Sequence, residues 1–282
     1  MADESKAASE VVLKFEDVSL KFDEVQALDH VSFEMHSGAT RVVLGAAGSG
    51  KTTMLKAAIG LVKPDTGKIY LLGEEVTRMT EHQLFALRSK VGVLFQEGGL
   101  FDSITVAENV AYPLENRRAG KMNPTEVDTK VKDALRFVEL EKTLEQFPSE
   151  LSGGMRRRVG IARAVVTEPP LVLYDSPTAG LDPITATTIM ALIAKERDVA
   201  NTANLIVTYR YQDGELMANF RYNPDNKERL ERFTPNGSNS GPLRTVFMVM
   251  NQGKLVFEGS QSELEANQDK YIQKFVLKQT HN

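Results

Sequence analysis

Residues 45–53 read GAAGSGKTT. They follow a short apolar run, RVVLG (41–45), and open KTTMLKAAIGLV (51–62), which continues as a helix. Strand, glycine-rich turn and helix in that order fit G-x-x-x-x-G-K-[ST] in the context where the pattern cradles phosphate. Gly45, Gly48 and Gly50 let backbone N–H groups approach phosphate oxygens closely where a Cβ would often clash, and Ser49 and Thr53 belong to the same run. Lys51 supplies positive charge for β- and γ-phosphates, Thr52 a hydroxyl for Mg²⁺, and the helix N-terminus its partial positive charge. A triphosphate is expected at this turn.

A second stretch, LVLYDSPTAGLDP (171–183), is an apolar strand ending on an acid. Alone, such an acid is more often a cap or turn residue than a ligand. Paired with the phosphate turn, Asp175 is expected to help hold Mg²⁺ from outside its inner coordination sphere. With PITATTIMALIAKER (183–197) and NLIVT (204–208) it gives a βαβ rhythm. Upstream, VVLKFEDVSLKF and ALDHVSFEM alternate as half-buried antiparallel strands do. From about 97 to 165 the composition is helical, with Val127, Val131, Ala134, Leu135 and Val138 on one face. VFMVMNQGKLVFEG (246–259) reads as a hairpin turning at 251–253.

These readings predict an α/β chain with a mostly parallel central sheet, an N-terminal antiparallel β subdomain and an inserted helical subdomain at about 97–165. Residues 1–10 read as a disordered tail, 11–262 as the domain and 263–282 as a helical tail. The tail could embrace a partner subunit or lie on the surface as an amphipathic helix. The polar segment at about 223–242 has little to bury, and is either a mobile surface loop or an insertion that contacts a partner.

Composition narrows the classes. With 282 residues, 41% hydrophobic and 26% charged, the chain can bury a substantial core. A net charge of −4 provides no global basic field, which argues against nucleic acid as a partner. The absence of cysteine excludes disulfides and thiolate metal sites and suits a reducing compartment. No apolar run approaches the length of a membrane span, so membrane contact is expected through a partner only.

LSGGMRRRVGIARAVV (151–166) narrows the field further. It resembles the ABC-transporter signature, and with GAAGSGKTT, Gln96, LVLYD and AGLD (179–182) the motifs stand in that family's order and spacing. FQEGGLFDSITVAENVAYPL (95–114), Met155 and GLDPI (180–184) resemble the ATPase subunits of Mla/Mce-type lipid-trafficking systems. The resemblance implies a P-loop NTPase fold, ATP with Mg²⁺, a second ATP-binding subunit, an Mla/Mce-type permease and a cytoplasmic place on the inner membrane face. In such a pair, Ser152, Gly153 and Gly154 would meet the other chain's γ-phosphate, a helix N-terminus being suited to an anion. Phe22 would stack on adenine, or else be an ordinary core phenylalanine. Gln96 would sense γ-phosphate and Mg²⁺, residues 98–113 would line the permease groove, and Asp182 would lie at the dimer seam. Arginines 156–158 would be the solvated face of the signature helix, or else a basic patch for lipid headgroups.

Two positions depart from the family pattern. Ser176 stands where a glutamate usually orients and deprotonates the attacking water, and a serine hydroxyl cannot take that proton as a carboxylate can. Tyr209 stands in place of the switch histidine; its phenol can donate a hydrogen bond but differs in shape and reach. Glu97 or Asp182 could substitute as base. Three roles remain open: a homodimeric transporter ATPase that turns over slowly, the degenerate half of a heterodimer with a competent paralogue, or an ATP-binding switch that does not transport.

Overall fold

The computed structural model describes residues 10–116, 122–223, 229–232 and 245–276. Strands β1 (Val11–Phe22) and β2 (Val25–His36) pair antiparallel, from Val11 opposite His36 to Phe22 opposite Val25. Their alternation turns Leu13, Phe15, Phe33 and Met35 inward, and the rings of Phe15 and Phe33 stack at 4.8 Å. Strand β3 (Thr40–Leu44) is buried at every position, as a strand covered on both faces must be. It feeds the phosphate turn into α1 (Lys51–Ala58). Strand β4 (Thr66–Leu71) then returns to the first sheet and β5 (Glu74–Glu75) ends it, in the order β2-β1-β4-β5.

Helix α2 (Glu81–Arg88) starts at a Thr80–Gln83 capping box, and β6 (Val91–Leu94) carries the chain into the central sheet. The inserted helical subdomain follows as α3 (Val106–Glu115), α4 (Pro124–Phe137) and α5 (Gly153–Val165). Val127, Val131, Ala134 and Leu135 form the buried stripe of α4, as their spacing predicts. Buried Asn109 fixes the approach to α3: its amide donates to the carbonyls of Phe101, Ile104 and Thr105, and its Oδ1 accepts the Phe101 N–H.

The βαβ unit is β7 (Leu171–Asp175), α6 (Pro183–Ala200) and β8 (Ala203–Thr208). Helix α7 (Tyr211–Asn219) leads to β9 (Phe220–Asn223) and β10 (Arg229–Arg232), an antiparallel pair. Part of the polar segment is therefore strand rather than loop; 224–228 and 233–242 lie outside the described residues. The pair is tied down by α6: Arg197 donates to the carbonyls of Met217 and Phe220, and Asp198 accepts the Tyr222 N–H. The hairpin expected at 246–259 is β11 (Thr245–Asn251) and β12 (Lys254–Gly259).

The helical tail is two short helices, α8 (Gln261–Ala266) and α9 (Lys270–Val276). Leu264 and Ile272 join Val42, Leu44, Phe247 and Val249 in one apolar cluster, so these helices pack on their own chain's sheet. Residues 1–9 and 277–282 lie outside the described residues.

The central sheet runs β12-β11-β3-β8-β7-β6, parallel from β11 to β6 with β12 antiparallel at its edge. In β7, Leu171 and Leu173 face the core shared with the N-terminal sheet, while Val172 and Tyr174 face the helical side. Since β3, β8 and β7 are neighbours pointing the same way, the loops leaving them emerge at one edge, where ligands bind parallel α/β sheets.

Candidate functional site: a phosphate loop and its strand-end acid

The phosphate loop is shaped by its glycines. Gly50 caps α1 at φ 105°, and a Cβ there would fall 2.3 Å from the Ala27 carbonyl oxygen. At Gly45 a Cβ would fall 2.5 Å from Ser49 Oγ and 2.7 Å from the Met250 oxygen. Any larger residue at either position forces backbone apart. Lys51 bends back over this loop, its Nζ donating to the carbonyls of Gly45 and Ala46, both at 2.8 Å, and to buried Ser49 at 3.2 Å. Burial pushes the ammonium pKa down, and Asp175 opposes the shift. Thr53 is half-buried on the first turn of α1.

Asp175 ends β7 and is 5% exposed. Its Oδ1 accepts the Thr52 hydroxyl at 3.3 Å, across 123 residues of chain. A hydroxyl and a carboxylate this close form a hard oxygen donor set of the kind Mg²⁺ takes. Gln96 opens a turn at the end of β6, the strand beside β7, and is exposed at the same sheet edge.

Ser176 is half-buried beside Asp175. It sits in the left-handed region at φ 50°, its N–H donates to Val207 and its hydroxyl to Asp175 at 3.2 Å. Tyr209, the residue after β8, is 53% exposed. Asp182 is exposed and caps α6, its Oδ1 accepting the N–H groups of Ile184 and Thr185 at 3.0 Å. Hydrogen bonds from Thr185, side chain first and then backbone, hold this carboxyl below the usual range. It is therefore a weak proton acceptor.

Behind these loops lies a residue without a motif to mark it. Buried Asp213 accepts the hydroxyls of Thr178, from the loop after β7, and Thr208, the last residue of β8, at 2.7 and 2.6 Å. Burial raises its pKa, opposed by the two threonines and then by Arg210. One carboxylate thus ties the loop bearing Ser176 to the loop bearing Tyr209. The only sequence signal is an acid one turn into a helix after a strand, too common to single it out.

The signature segment stands apart. Ser152 caps α5, its Oγ accepting the Met155 N–H at 3.2 Å. Ser152 and Gly153 are exposed and Gly154 is half-buried. Among the described residues no hydrogen bond links them to the phosphate loop. The arginine triplet is a solvated face only in part. Arg157 is buried and donates to Ala179, Arg156 donates to Leu151, and Arg158 donates to Val138. Backbone carbonyls of the turn just before α5 and of two other segments stand in for the i, i+4 side-chain partners expected, and only Arg157 is fully withdrawn from solvent. Phe22, at the end of β1, is 48% exposed and so is no core phenylalanine.

Phe95, Phe101 and Tyr112 are also exposed. The rings of Phe101 and Tyr112 lie 4.7 Å apart, with the Arg163 guanidinium over Phe101 at 5.8 Å. They fall within or beside residues 98–113.

A family model described as ABC transporter matches residues 28–179, more than half of the chain. A methionine import ATP-binding protein of Carboxydothermus hydrogenoformans is 40% identical over 66% of this chain and 54% of its own length. The chain thus spans about half the length of that relative. The chloroplastic protein trigalactosyldiacylglycerol 3 of Arabidopsis thaliana is 32% identical over 95% of this chain and 74% of its own length. A solved dimeric, post-hydrolysis ATP-binding cassette bound to ADP and Pi matches with TM-score 0.74 and 27% identity, over 88% of this chain and 98% of that one. The architecture of this chain is that of a P-loop ATPase with an N-terminal antiparallel subdomain and a helical insertion. Loop, sheet order and sequence likeness agree, and the chain belongs to the ABC transporter family.

Proposed function

We propose that this chain is the ATP-binding subunit of an ABC transporter, pairing with a second ATP-binding subunit and driving a membrane permease. The carrying observation is the phosphate loop whose Lys51 and Thr52 stand beside buried Asp175. On this reading Lys51 would exchange its loop carbonyls for phosphate oxygens, and Thr52, Asp175 and Gln96 would hold Mg²⁺, which would supply positive charge against the phosphates. Phe22 offers its exposed ring to adenine. Ser152 and Gly153 face outward and, with half-buried Gly154 behind them, complete the partner's site rather than their own. The exposed aromatic pair of Phe101 and Tyr112 receives the permease, since exposed aromatic clusters suit protein contacts. Among described residues no helix is long and apolar enough to cross a membrane, which fits a peripheral subunit held on the inner membrane face by its permease.

The cargo is lipid, moved through a permease of the Mla/Mce type. This is supported by the 95–114 segment and by the relative that bears a lipid's name, which aligns over 95% of this chain against 66% for the methionine protein.

Hydrolysis by the chain's own site is slow. Ser176 turns its hydroxyl to Asp175, and Asp182 is held below the usual carboxylate range. Losing general-base assistance costs about 10² to 10⁴ in rate. The same observations favour a second reading, the degenerate half of an asymmetric pair.

Mg-ATP binding and hydrolysis by the chain with its permease, beside Ser176→Glu, Tyr209→His and the double variant, test the proposal. All forms should bind ATP, and only the restored ones should turn over rapidly. Hydrolysis by the unaltered chain as fast as by the double variant would refute the slow-site reading.

A further inference from the structure

The C-terminal helices reach the phosphate loop. Tyr271, on α9, donates its hydroxyl to the Met250 carbonyl at 2.9 Å and accepts the Ala46 N–H at 3.1 Å. Ala46 N–H and Gly45 C=O belong to one peptide unit. That unit is gripped on both edges, by Tyr271 at the N–H and by the Lys51 ammonium at the C=O, at 2.8 Å. The far end of the loop has a separate support, the Gly253 N–H donating to Ser49 O at 3.0 Å.

We propose that Tyr271 is a positioning residue for nucleotide binding, a role that rests on the ATP-binding reading above. When Lys51 leaves Gly45 O for phosphate, the 45–46 peptide loses one of its two holds. The Tyr271 hydroxyl is the hold that remains, and it keeps the loop entrance in its receiving curvature. The phenol is itself well fixed. Asp269 Oδ1 accepts the Tyr271 N–H at 2.7 Å, Ile272 beside it is 2% exposed, and the Phe275 ring meets the Tyr271 ring edge-on at 5.3 Å. A preorganised loop binds more tightly because less ordering remains to be done on binding. Affinity for triphosphate is therefore set in part by an element more than two hundred residues from the motif.

The test uses the full chain with Mg-ATP. Tyr271→Phe deletes only the hydroxyl, and Ile272→Val trims packing under the same helix while leaving the hydroxyl in place. Because Lys51 shares the hold on the 45–46 peptide only in the unliganded chain, loss of the hydroxyl weighs more on the bound state and predicts a Kd raised about five- to tenfold in Tyr271→Phe, beside a modest fall in the melting temperature of the unliganded chain. Ile272→Val should show a lower melting temperature and an unaltered Kd. If the unaltered chain binds ATP and Tyr271→Phe binds it equally well, the positioning role is refuted and the ATP-binding reading survives. If Tyr271→Phe loses melting temperature in step with Ile272→Val and keeps its affinity, the hydroxyl is structural only and the role is likewise refuted. If the unaltered chain binds no ATP, both readings fall together.

Discussion

Glu196 offers a quantitative test of the packing beneath the site. It lies on α6, 5% exposed, with Oε1 accepting the Thr202 hydroxyl at 2.6 Å. Tyr174, the residue before Asp175, is fully buried and near enough for the Glu196 charge to raise its pKa further. Burial pushes the Glu196 carboxyl from 4.5 up to about 7, with Thr202 and then Arg197 opposing. A folded value above the unfolded one means that the folded chain binds the proton more tightly. This contribution to stability is full below about pH 4.5 and is lost as pH rises through about 7. At about 1.4 kcal/mol per pH unit, the whole effect is roughly 3 kcal/mol, most of it falling between pH 5 and pH 8. Glu196→Gln is neutral throughout and carries no such dependence. Urea unfolding followed by far-UV circular dichroism at pH 5, 6.5 and 8 should show the variant gaining about 2 to 3 kcal/mol on the unaltered chain between the extremes. Parallel stability curves would refute the argument, because they would mean that the carboxyl either stays ionised at low cost or reaches water.

Two further outcomes are expected. Asp213→Ala leaves the buried hydroxyls of Thr178 and Thr208 without their shared acceptor. It should cost about 2 to 4 kcal/mol of unfolding free energy, after relief of the buried charge is deducted, and speed amide hydrogen exchange at 176–182 and 208–210. Phe101→Asp places a charge in the exposed aromatic patch; it should leave Mg-ATP affinity unchanged and weaken binding to the permease about 30-fold, as loss of a central anchor does.

Much of the scaffold could be read from local pattern. The phosphate turn, the βαβ unit, the 246–259 hairpin and the buried stripe of α4 all follow from periodicity or turn chemistry over a few residues. Strand β6 escapes because four residues with a glycine inside show no alternation. Strand β10 escapes because its segment reads as polar, and β9, which ends where that segment begins, is held by Arg197 and Asp198 of a neighbouring helix. At the site, Lys51, Thr52 and Asp175 were legible because they sit in motifs. The Tyr271 hydrogen bond to Ala46 spans 225 residues, and Arg157 finds Ala179 on a different loop. No window of sequence contains both partners, so an arginine triplet on a helix reads as solvent-facing until the chain folds against it.

Positions 176 and 209 are the first residues beyond two neighbouring strands. Neither side chain reaches the core: Ser176 is half-buried and Tyr209 is mostly in solvent. An exchange at exposed Tyr209 usually changes stability by no more than about 0.5 kcal/mol, whereas Ser176, at φ 50° with its N–H on Val207, carries a backbone cost that depends on the residue placed there. Position 209 can therefore change with little effect on folding, since its side chain stands mostly in solvent. A melting curve would scarcely register a change there, and any effect on chemistry would emerge only when turnover is counted.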